Sequence, residues 1–267
     1  MSSEPSNDIQ TNKDLGQHWL HDSESLNSII DLAEVTSKDH ILEIGPGPGG
    51  LTELLLAKAT HVIAVEIDTN LVSKLSERFK DNPKLEVENK DIRDFNLDKM
   101  PKGYKVVANI PYYLTANIIR RLSEAENPPV VCVLLIQKEV ADRLLAKPGK
   151  LSLLGVTTQA YWSVTPGQIV KSYLFTPPPK VDSMVVKLTR LKDSLVPANN
   201  SENFFNLINA TFSKRRKMLS NSLSSSLKVD KNTAELILHS ANIDPTRRPQ
   251  ELSLKEWANL TKAVFTK

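Results

Sequence analysis

Four consecutive residues combine an amide, a stiff turn and an aromatic ring: Asn109, Ile110, Pro111 and Tyr112. They follow the apolar run 106–108, so we expect them where a buried strand ends and a loop begins. The Asn109 side-chain oxygen and the Ile110 carbonyl can accept hydrogen bonds from an exocyclic amine, and Tyr112 can stack on a flat ring. The pattern predicts a site for a neutral nitrogen heterocycle, although Asn and Pro are also common in plain turns.

A glycine-rich segment, residues 43–50, directly follows an earlier apolar run and opens a predicted helix. Gly45, Gly47 and Gly49 allow a sharp turn and a close approach of the backbone to a ligand. The next apolar run ends near Glu66, about 20 residues downstream, where a carboxylate can bind ribose hydroxyls. This combination is typical of proteins that bind either a dinucleotide or S-adenosylmethionine.

Two details favour S-adenosylmethionine over a dinucleotide. The glycines have the spacing Gly-x-Gly-x-Gly rather than Gly-x-Gly-x-x-Gly, and the acidic Glu43 precedes them. A further carboxylate, Asp91, closes the next strand-like run, where it can accept a hydrogen bond from an adenine amine. The alternative role for Asp91 is that of a solvated loop residue or a helix N-cap.

The elements that must position these residues alternate between two periodicities. Short apolar runs alternate with helical segments over the first two-thirds of the chain, which indicates βαβ units and a mostly parallel, Rossmann-like α/β sheet. Such sheets bind ligands at the carboxyl ends of their strands. Two later strand-like runs, 168–175 and 181–191, are compatible with an antiparallel edge hairpin. The predicted parallel strands cover 41–44, 62–67, 85–87, 105–110 and 130–136, and the helices 51–58, 71–79, 114–122 and 138–146.

The pattern changes near residues 195–201, after which only amphipathic helical segments occur, such as 204–227 and 234–241. We therefore predict three parts. A polar, disordered tail covers 1–12, an α/β domain that binds S-adenosylmethionine covers 13–194, and a small all-helical domain covers 195–267.

The composition limits the function classes. No run approaches the ~20 apolar residues that a membrane span requires. The single Cys132 excludes an internal disulfide and fits a reducing compartment, so we expect a cytoplasmic protein without a membrane partner. The histidines show no metal-ligand spacing, so we predict no metal.

The net charge of +3 is unevenly distributed along the chain. A concentration of basic residues near the C-terminal end favours an anionic partner there. On a helix, the first four of these residues would fan out to either side; a solvated helix face is the alternative. The basic residues are Lys214, Arg215, Arg216, Lys217, Arg247 and Arg248.

The order Glu-x-Gly-x-Gly-x-Gly, Glu, Asp and Asn-Ile-Pro-Tyr resembles the adenine-N6 methyltransferases that use S-adenosylmethionine. Further segments resemble one group of these enzymes, the ribosomal RNA adenine dimethyltransferases, and the resemblance extends from Asp14 onward. The chain departs from the family pattern at 147–152, where its loop looks shorter than usual. The segments that narrow the match are 15–22, 137–143, 175–183, 212–217 and 248–252.

The resemblance implies a function. It implies dimethylation of the N6 amines of two adjacent adenosines in the 3′-terminal hairpin of 16S (small-subunit) ribosomal RNA, with the immature small subunit as the partner. It implies catalysis by residues 109–112, and it gives the basic cluster, on a helix, the role of binding phosphates of an RNA duplex. No coiled-coil pattern indicates an obligate dimer, so we expect a monomer. The contacts that it implies for S-adenosylmethionine are His18, Leu20, Gly45, Glu66, Asp91 and Asn109, with Gly47 in the same loop.

Three alternatives remain open. A related group methylates a single adenosine of large-subunit ribosomal RNA and shares the cofactor motifs, but segments 175–183 and 212–217 look more like the small-subunit group. A non-catalytic factor that checks immature small subunits is the second alternative. A dinucleotide-dependent oxidoreductase is the third.

Overall fold

A computed structural model describes residues 15–194, 196 and 201–265 of the 267-residue chain. The predicted tail over 1–12 lies outside these residues. The chain divides into two compact units. The first contains the described residues up to Ala141 together with Thr165–Thr189, and the second contains Asp142–Val164 together with the residues from Arg190 onward.

The sheet of the first unit is mostly parallel, as the sequence predicts. Its strand order is β4-β3-β2-β5-β6-β9-β7, in which β2 pairs in parallel with both β3 and β5. The last pair whose register is defined, β6 with β9, is antiparallel. The strands are β1 (Trp19–Leu20), β2 (His40–Ile44), β3 (His61–Glu66), β4 (Leu85–Asn89), β5 (Lys105–Asn109), β6 (Val131–Gln137), β7 (Trp162–Val170), β8 (Phe175–Thr176) and β9 (Ser183–Arg190).

Three helices of the first unit begin at a side-chain cap or at a glycine. Asp22 and Asp68 accept hydrogen bonds from the backbone amides of Ser25 and Asn70 at two helix starts. A third helix begins directly after Gly49, so the glycine-rich segment leads straight into it. The helices up to residue 145 are α1 (Ser23–Ala33), α2 (Gly50–Lys58), α3 (Thr69–Arg78), α4 (Thr115–Glu124) and α5 (Lys138–Leu145).

The central strands are buried almost throughout, which explains their continuous apolar runs. Val106, Val107 and Ala108 of β5 are fully buried, and β6 is buried from Cys132 to Ile136. Parallel strands covered on both faces have this composition. The strand order reverses between β2 and β5, and in sheets of this type the crevice outside the carboxyl ends at that point is the usual ligand site.

The predicted hairpin is correct in outline but not in its bounds. Strand β7 ends at Val170, and Phe175 belongs instead to β8, which pairs with β1 through Leu20. The break has a local cause, because residues 172–174 form a single 3₁₀ turn. Pairing of β1 with β8 holds the N-terminal segment near the sheet, which periodicity does not reveal in two-residue strands.

The second unit contains helices packed around one apolar core. Phe204, Leu223, Leu238 and Trp257 are fully buried in it, and Val156 from the segment 142–164 packs with them. That segment lies before the predicted boundary at 194, so its place in this core is a tertiary feature that the sequence pattern did not indicate. The helices are α6 (Leu153–Gln159), α7 (Ser201–Phe212), α8 (Leu219–Leu227), α9 (Lys231–Ser240) and α10 (Leu254–Phe265).

The single helix predicted over 204–227 is wrong. The structure has two helices, α7 and α8, with a turn between Phe212 and Leu219. The first amides of α8 bond outside the helix: Leu219 donates to the Arg247 carbonyl at 2.6 Å, and Ser220 to the Pro245 carbonyl at 3.1 Å. These long-range partners replace the bonds that a continuous helix would supply.

A candidate cofactor and base-binding crevice

The glycine-rich segment turns beside the carboxyl ends of β3 and β5. Gly45 and Gly47 have positive φ angles of 67° and 57°, a conformation that glycine adopts without strain. The Gly45 amide donates to the Val65 carbonyl at 3.0 Å. A side chain at Gly47 would lie 3.3 Å from the Trp19 ring. Conformation therefore favours glycine at both positions, and a side chain at the second would also require the Trp19 ring to shift.

Glu66 ends β3 and faces this turn. Its carboxylate accepts hydrogen bonds from the Gly47 amide at 3.3 Å and the Asp68 amide at 3.0 Å. Burial raises the pKa of Glu66, and these two backbone hydrogen bonds oppose the rise. Glu66, the residue predicted to bind the ribose hydroxyls, is thus a buried carboxylate that backbone amides fix in position.

Glu43 is a second buried carboxyl group, which the sequence singled out only as preceding the glycines. The side chain is fully buried, and neither of its oxygens has a hydrogen-bonding partner among the described residues. Burial raises its pKa to about 8, an effect that the neighbouring Thr52 hydroxyl only partly offsets. Since one pKa unit corresponds to about 1.4 kcal/mol, keeping this group charged at its buried position is costly.

Asp91 follows β4, as the sequence predicts, but its carboxylate is already engaged. The guanidinium of Arg93 donates to both carboxylate oxygens, with its closest contact at 2.6 Å. This pairing holds the pKa of Asp91 below its usual range. An adenine amine at Asp91 would therefore share the carboxylate with Arg93.

Asn109 ends β5 and is held by the N-terminal segment. Its Nδ2 donates to the His18 carbonyl at 3.2 Å, which leaves Oδ1 as the amide atom still able to accept a hydrogen bond. Within the part of the chain that the structure describes, no group donates to Asn109 Oδ1 or to the Ile110 carbonyl. Two adjacent acceptors are thus available where the sequence predicts them.

The ring of Tyr112 is fixed from two sides. Its hydroxyl lies 2.7 Å from Ser183 Oγ, and its ring stacks with His18 at a centroid distance of 5.8 Å. His18 Nδ1 in turn lies 2.7 Å from the Pro177 carbonyl. The sequence analysis assigned no role to Ser183 or Pro177. Both lie in the segment 175–183, and the resemblance of that segment to the family is the signal that could have identified them.

The basic residues of the second unit have two different surroundings. Residues 214–217 lie in the turn between α7 and α8 and not on a helix, so the predicted helical fan is wrong. Arg215, Arg216 and Arg248 are exposed, whereas the Arg247 guanidinium pairs with Glu256 and donates to the Glu251 carbonyl. Arg247 thus stabilises its own unit, unlike its neighbour in sequence.

Two further features of the structure concern metal binding and membrane-spanning helices. Among the described residues, no group of three or more His, Cys, Asp or Glu side chains is placed to hold a metal ion. In the same ranges, none of the helices combines the length and apolar character needed to cross a membrane.

Comparison with known proteins decides the family. Residues 9–265 match the family model described as ribosomal RNA adenine dimethylase. The chain belongs to this family. "Ribosomal RNA small subunit methyltransferase A" of Dehalococcoides mccartyi (strain CBDB1) is 38% identical over 255 residues, covering 94% of this chain and 88% of that protein. The protein of the same name from Clostridium botulinum (strain Okra / Type B1) is 38% identical over 263 residues, covering 97% and 95%.

Solved structures agree with this assignment. A dimethyladenosine transferase from Plasmodium falciparum has a TM-score of 0.79 at 28% identity, with 90% of this chain and 95% of that chain covered. The 23S rRNA methyltransferase ErmE has a TM-score of 0.73 at 27% identity, with 92% and 98% covered. The predicted Rossmann-like methyltransferase fold with a helical C-terminal region is confirmed, as is the enzyme class, an rRNA adenine N6,N6-dimethyltransferase.

The family uses S-adenosylmethionine as its methyl donor, and the crevice has the chemistry to hold it. The turn at Gly45 and Gly47 brings the backbone to the carboxyl ends of the strands, and Glu66 presents a carboxylate beside it. Burial raises the pKa of Glu43 to about 8, so its carboxyl group is largely neutral near pH 7, and neither of its oxygens has a partner among the described residues. A cationic ligand beside it would favour its charged form. The residues present therefore fit the cofactor that the sequence predicted.

Proposed function

We propose that this enzyme methylates the N6 amines of two adjacent adenosines in the 3′-terminal hairpin of 16S (small-subunit) ribosomal RNA, and that this reaction is coupled to small-subunit biogenesis. The pair of available acceptors, Asn109 Oδ1 and the Ile110 carbonyl, carries the proposal. The names of the relatives, small subunit methyltransferase A, support the choice of RNA.

The acceptors fit the chemistry of an adenine amine. The N6 lone pair is delocalised into the ring, so the amine is a poor nucleophile until its geometry changes. Hydrogen bonds to Asn109 Oδ1 and the Ile110 carbonyl favour a tetrahedral nitrogen and the positive charge that develops on it. Orienting the reacting groups in this way lowers the activation free energy by several kcal/mol.

Tyr112 and Pro111 complete the base site. The target adenine leaves its stack and rests on the Tyr112 ring, whose orientation His18 and Ser183 hold. Pro111 begins the 3₁₀ turn that carries Tyr112, so it sets the direction of the chain after Ile110. A second transfer needs only room for one methyl group, because a monomethylated amine keeps one hydrogen for these acceptors.

S-adenosylmethionine, when bound, supplies an electrophilic methyl group, so no general base is needed before transfer. We assign Glu66 to the ribose hydroxyls and Asp91 to the adenine amine of the cofactor. Gly45 and Gly47 provide the backbone surface, while His18 and Leu20 close the crevice from the N-terminal segment. His18 does so through its contacts with Asn109 and Tyr112.

The RNA contacts are assigned to the exposed cations of the second unit. Lys214, Arg215, Arg216, Lys217 and Arg248 can bind phosphates without reading bases. Arg247, which the sequence places in the same set, has its guanidinium committed to Glu256, so the proposal rests on the other five. We propose that the enzyme acts as a monomer on immature small subunits in the cytoplasm, where this RNA is assembled.

The test is to incubate the protein with tritiated S-adenosylmethionine and small subunits that lack methylation in the 3′ hairpin, and to map the label by mass spectrometry. We expect two adjacent N6,N6-dimethyladenosines. Label confined to large-subunit RNA would contradict the proposal and favour the activity in the name of ErmE, a 23S rRNA methyltransferase. Cofactor binding without label on either RNA would indicate a binding factor.

A further inference from the structure

A cleft in the second unit brings together three segments that are distant in sequence. It has a volume of about 330 Å³ and is lined by residues 149–151, Arg215, Arg216, Arg248 and Gln250. The Gly149 amide donates to the Gln250 carbonyl at 2.8 Å, which fixes the loop beside the segment that follows α9. The shortened loop noted in the sequence is therefore one wall of this cleft.

The charges that line the cleft are all of one sign. Lys150, Arg215, Arg216 and Arg248 are exposed cations, and among the described residues no Asp or Glu lines the cleft. Glu251 lies outside the lining, and its carboxylate accepts from the Arg248 backbone amide. Like charges gathered in one lining repel one another, and a bound anion relieves that repulsion.

The other arginines show that this arrangement is unusual in the molecule. Of the ten arginines in the chain, the three in the cleft have no ion pair or ring contact among the described residues. Six others are engaged through the guanidinium group by carboxylates, carbonyls or aromatic rings: Arg78, Arg93, Arg120, Arg121, Arg190 and Arg247.

We propose that this cleft is a binding pocket for one phosphate group of the RNA backbone, held jointly by Lys150, Arg216 and Arg248. The proposal rests on the proposed function in that RNA is the ligand, and it adds Lys150 and the loop 147–150 to the interface. Guanidinium groups bind phosphate oxygens bidentately and remain charged when several converge. The cleft volume is at the lower end of the range for ligand sites, about 300–1,000 Å³, which suits a phosphate with its flanking sugar.

A shared pocket and a spread of separate contacts predict different results. If several cations hold one phosphate, the first neutralised residue removes most of that contact and the second removes little more. If each cation binds its own phosphate, the losses multiply. A double-mutant cycle separates the two cases.

The experiment uses Lys150→Gln, Arg248→Gln and the double variant, with a fluorescein-labelled hairpin RNA titrated without cofactor at several salt concentrations. We expect each single variant to weaken binding about tenfold and to reduce the slope of log K against log salt by about 0.7–0.9, the value for one phosphate. The double variant should lie within about threefold of the single variants. The control is Lys255→Gln with Lys262→Gln, which neutralises two exposed lysines outside the cleft.

Other outcomes overturn the proposal. A roughly hundredfold loss in the double variant would mean separate phosphates, and an unchanged slope would mean that the RNA binds elsewhere. Pyrophosphate should compete with the RNA only at about millimolar concentration. A different result would assign the cleft to a free phosphate compound: pyrophosphate binds at micromolar concentration, Lys150→Gln abolishes that binding, and the salt slope for RNA binding does not change. Because RNA binding is measured without methyl transfer, a wild-type protein that fails to methylate small-subunit RNA would contradict the proposed function alone.

Discussion

The crevice of the α/β unit and the cleft of the helical unit differ in how they manage charge. In the crevice the acidic groups Glu66 and Glu43 are buried within the fold, and burial raises the pKa of both. In the cleft the charged groups are cations on turns, exposed and without ion pairs among the described residues. A site that positions a small cofactor needs rigid, desolvated groups, whereas a site for RNA phosphates gains from exposed charges that release counterions.

The largest effect is expected in the crevice. Asn109→Ala removes the side-chain acceptor for N6, so we expect kcat to fall by about 10²–10³ fold, while the affinity for S-adenosylmethionine stays measurable. Single-turnover methylation and calorimetry measure the two quantities. The exposed Asn259→Ala on α10 is the matched control. Near-normal turnover of Asn109→Ala would remove Asn109 from the proposed mechanism.

Glu43→Gln tests whether burial raises the pKa of Glu43 enough to keep its carboxyl group protonated in the folded protein. The folded-state pKa of Glu43, about 8, lies above the unfolded-state value of 4.5, so the stability linked to its proton is present at low pH and lost as the pH rises through 8. The Gln side chain has no such proton. Between pH 5.5 and 8 the wild type should lose about 3 kcal/mol relative to the variant, an order-of-magnitude value.

Urea unfolding of both proteins at the two pH values measures this difference. We expect the stability of the variant relative to the wild type to be about 3 kcal/mol greater at pH 8 than at pH 5.5. Parallel losses of stability in the two proteins would show that Glu43 is ionised when folded, and that the crevice tolerates a buried charge without a ligand.

For the cleft, the quantity to test is RNA affinity, which we expect to depend on salt concentration rather than on pH. The variant Arg215→Glu with Arg216→Glu reverses two exposed charges, so RNA binding should weaken by about 10–100 fold at low salt, with a flatter salt slope. Binding of S-adenosylmethionine should not change. Arg247→Gln is the contrasting variant, because it breaks the pair with Glu256 and should lower the melting temperature more than the RNA affinity. The opposite result for the two variants would reverse their assigned roles.

The smallest effect is expected for Ser183, whose hydroxyl helps to hold the Tyr112 ring in the base site. Ser183→Ala removes the 2.7 Å contact with the Tyr112 hydroxyl, which costs about 1 kcal/mol for a neutral hydrogen bond. Methylation should slow by roughly three- to tenfold through a higher KM for RNA, because the Tyr112 ring is then held only by His18. Tyr112→Phe should match Ser183→Ala, since each variant deletes the same bond. Unequal effects of the two variants would show that the hydroxyl has another partner in the complex.

The sequence by itself determined the parallel sheet and the positions of the strand ends. Buried parallel strands need continuous apolar runs, and the turns after them need residues such as Gly45 and Asn109, so both features are local in sequence. The same locality explains why the motifs at Glu66 and Asp91 pointed to one edge of the sheet.

Only the tertiary structure decided which groups are paired and which are free. The turn that breaks the predicted helix depends on the carbonyls of Pro245 and Arg247, which meet α8 from more than twenty residues away. Arg247 and Arg248 are adjacent and chemically identical, yet among the described residues only the Arg247 guanidinium has an ion-pair partner. Burial and ion pairing depend on long-range contacts, and a local pattern of residue types does not specify them.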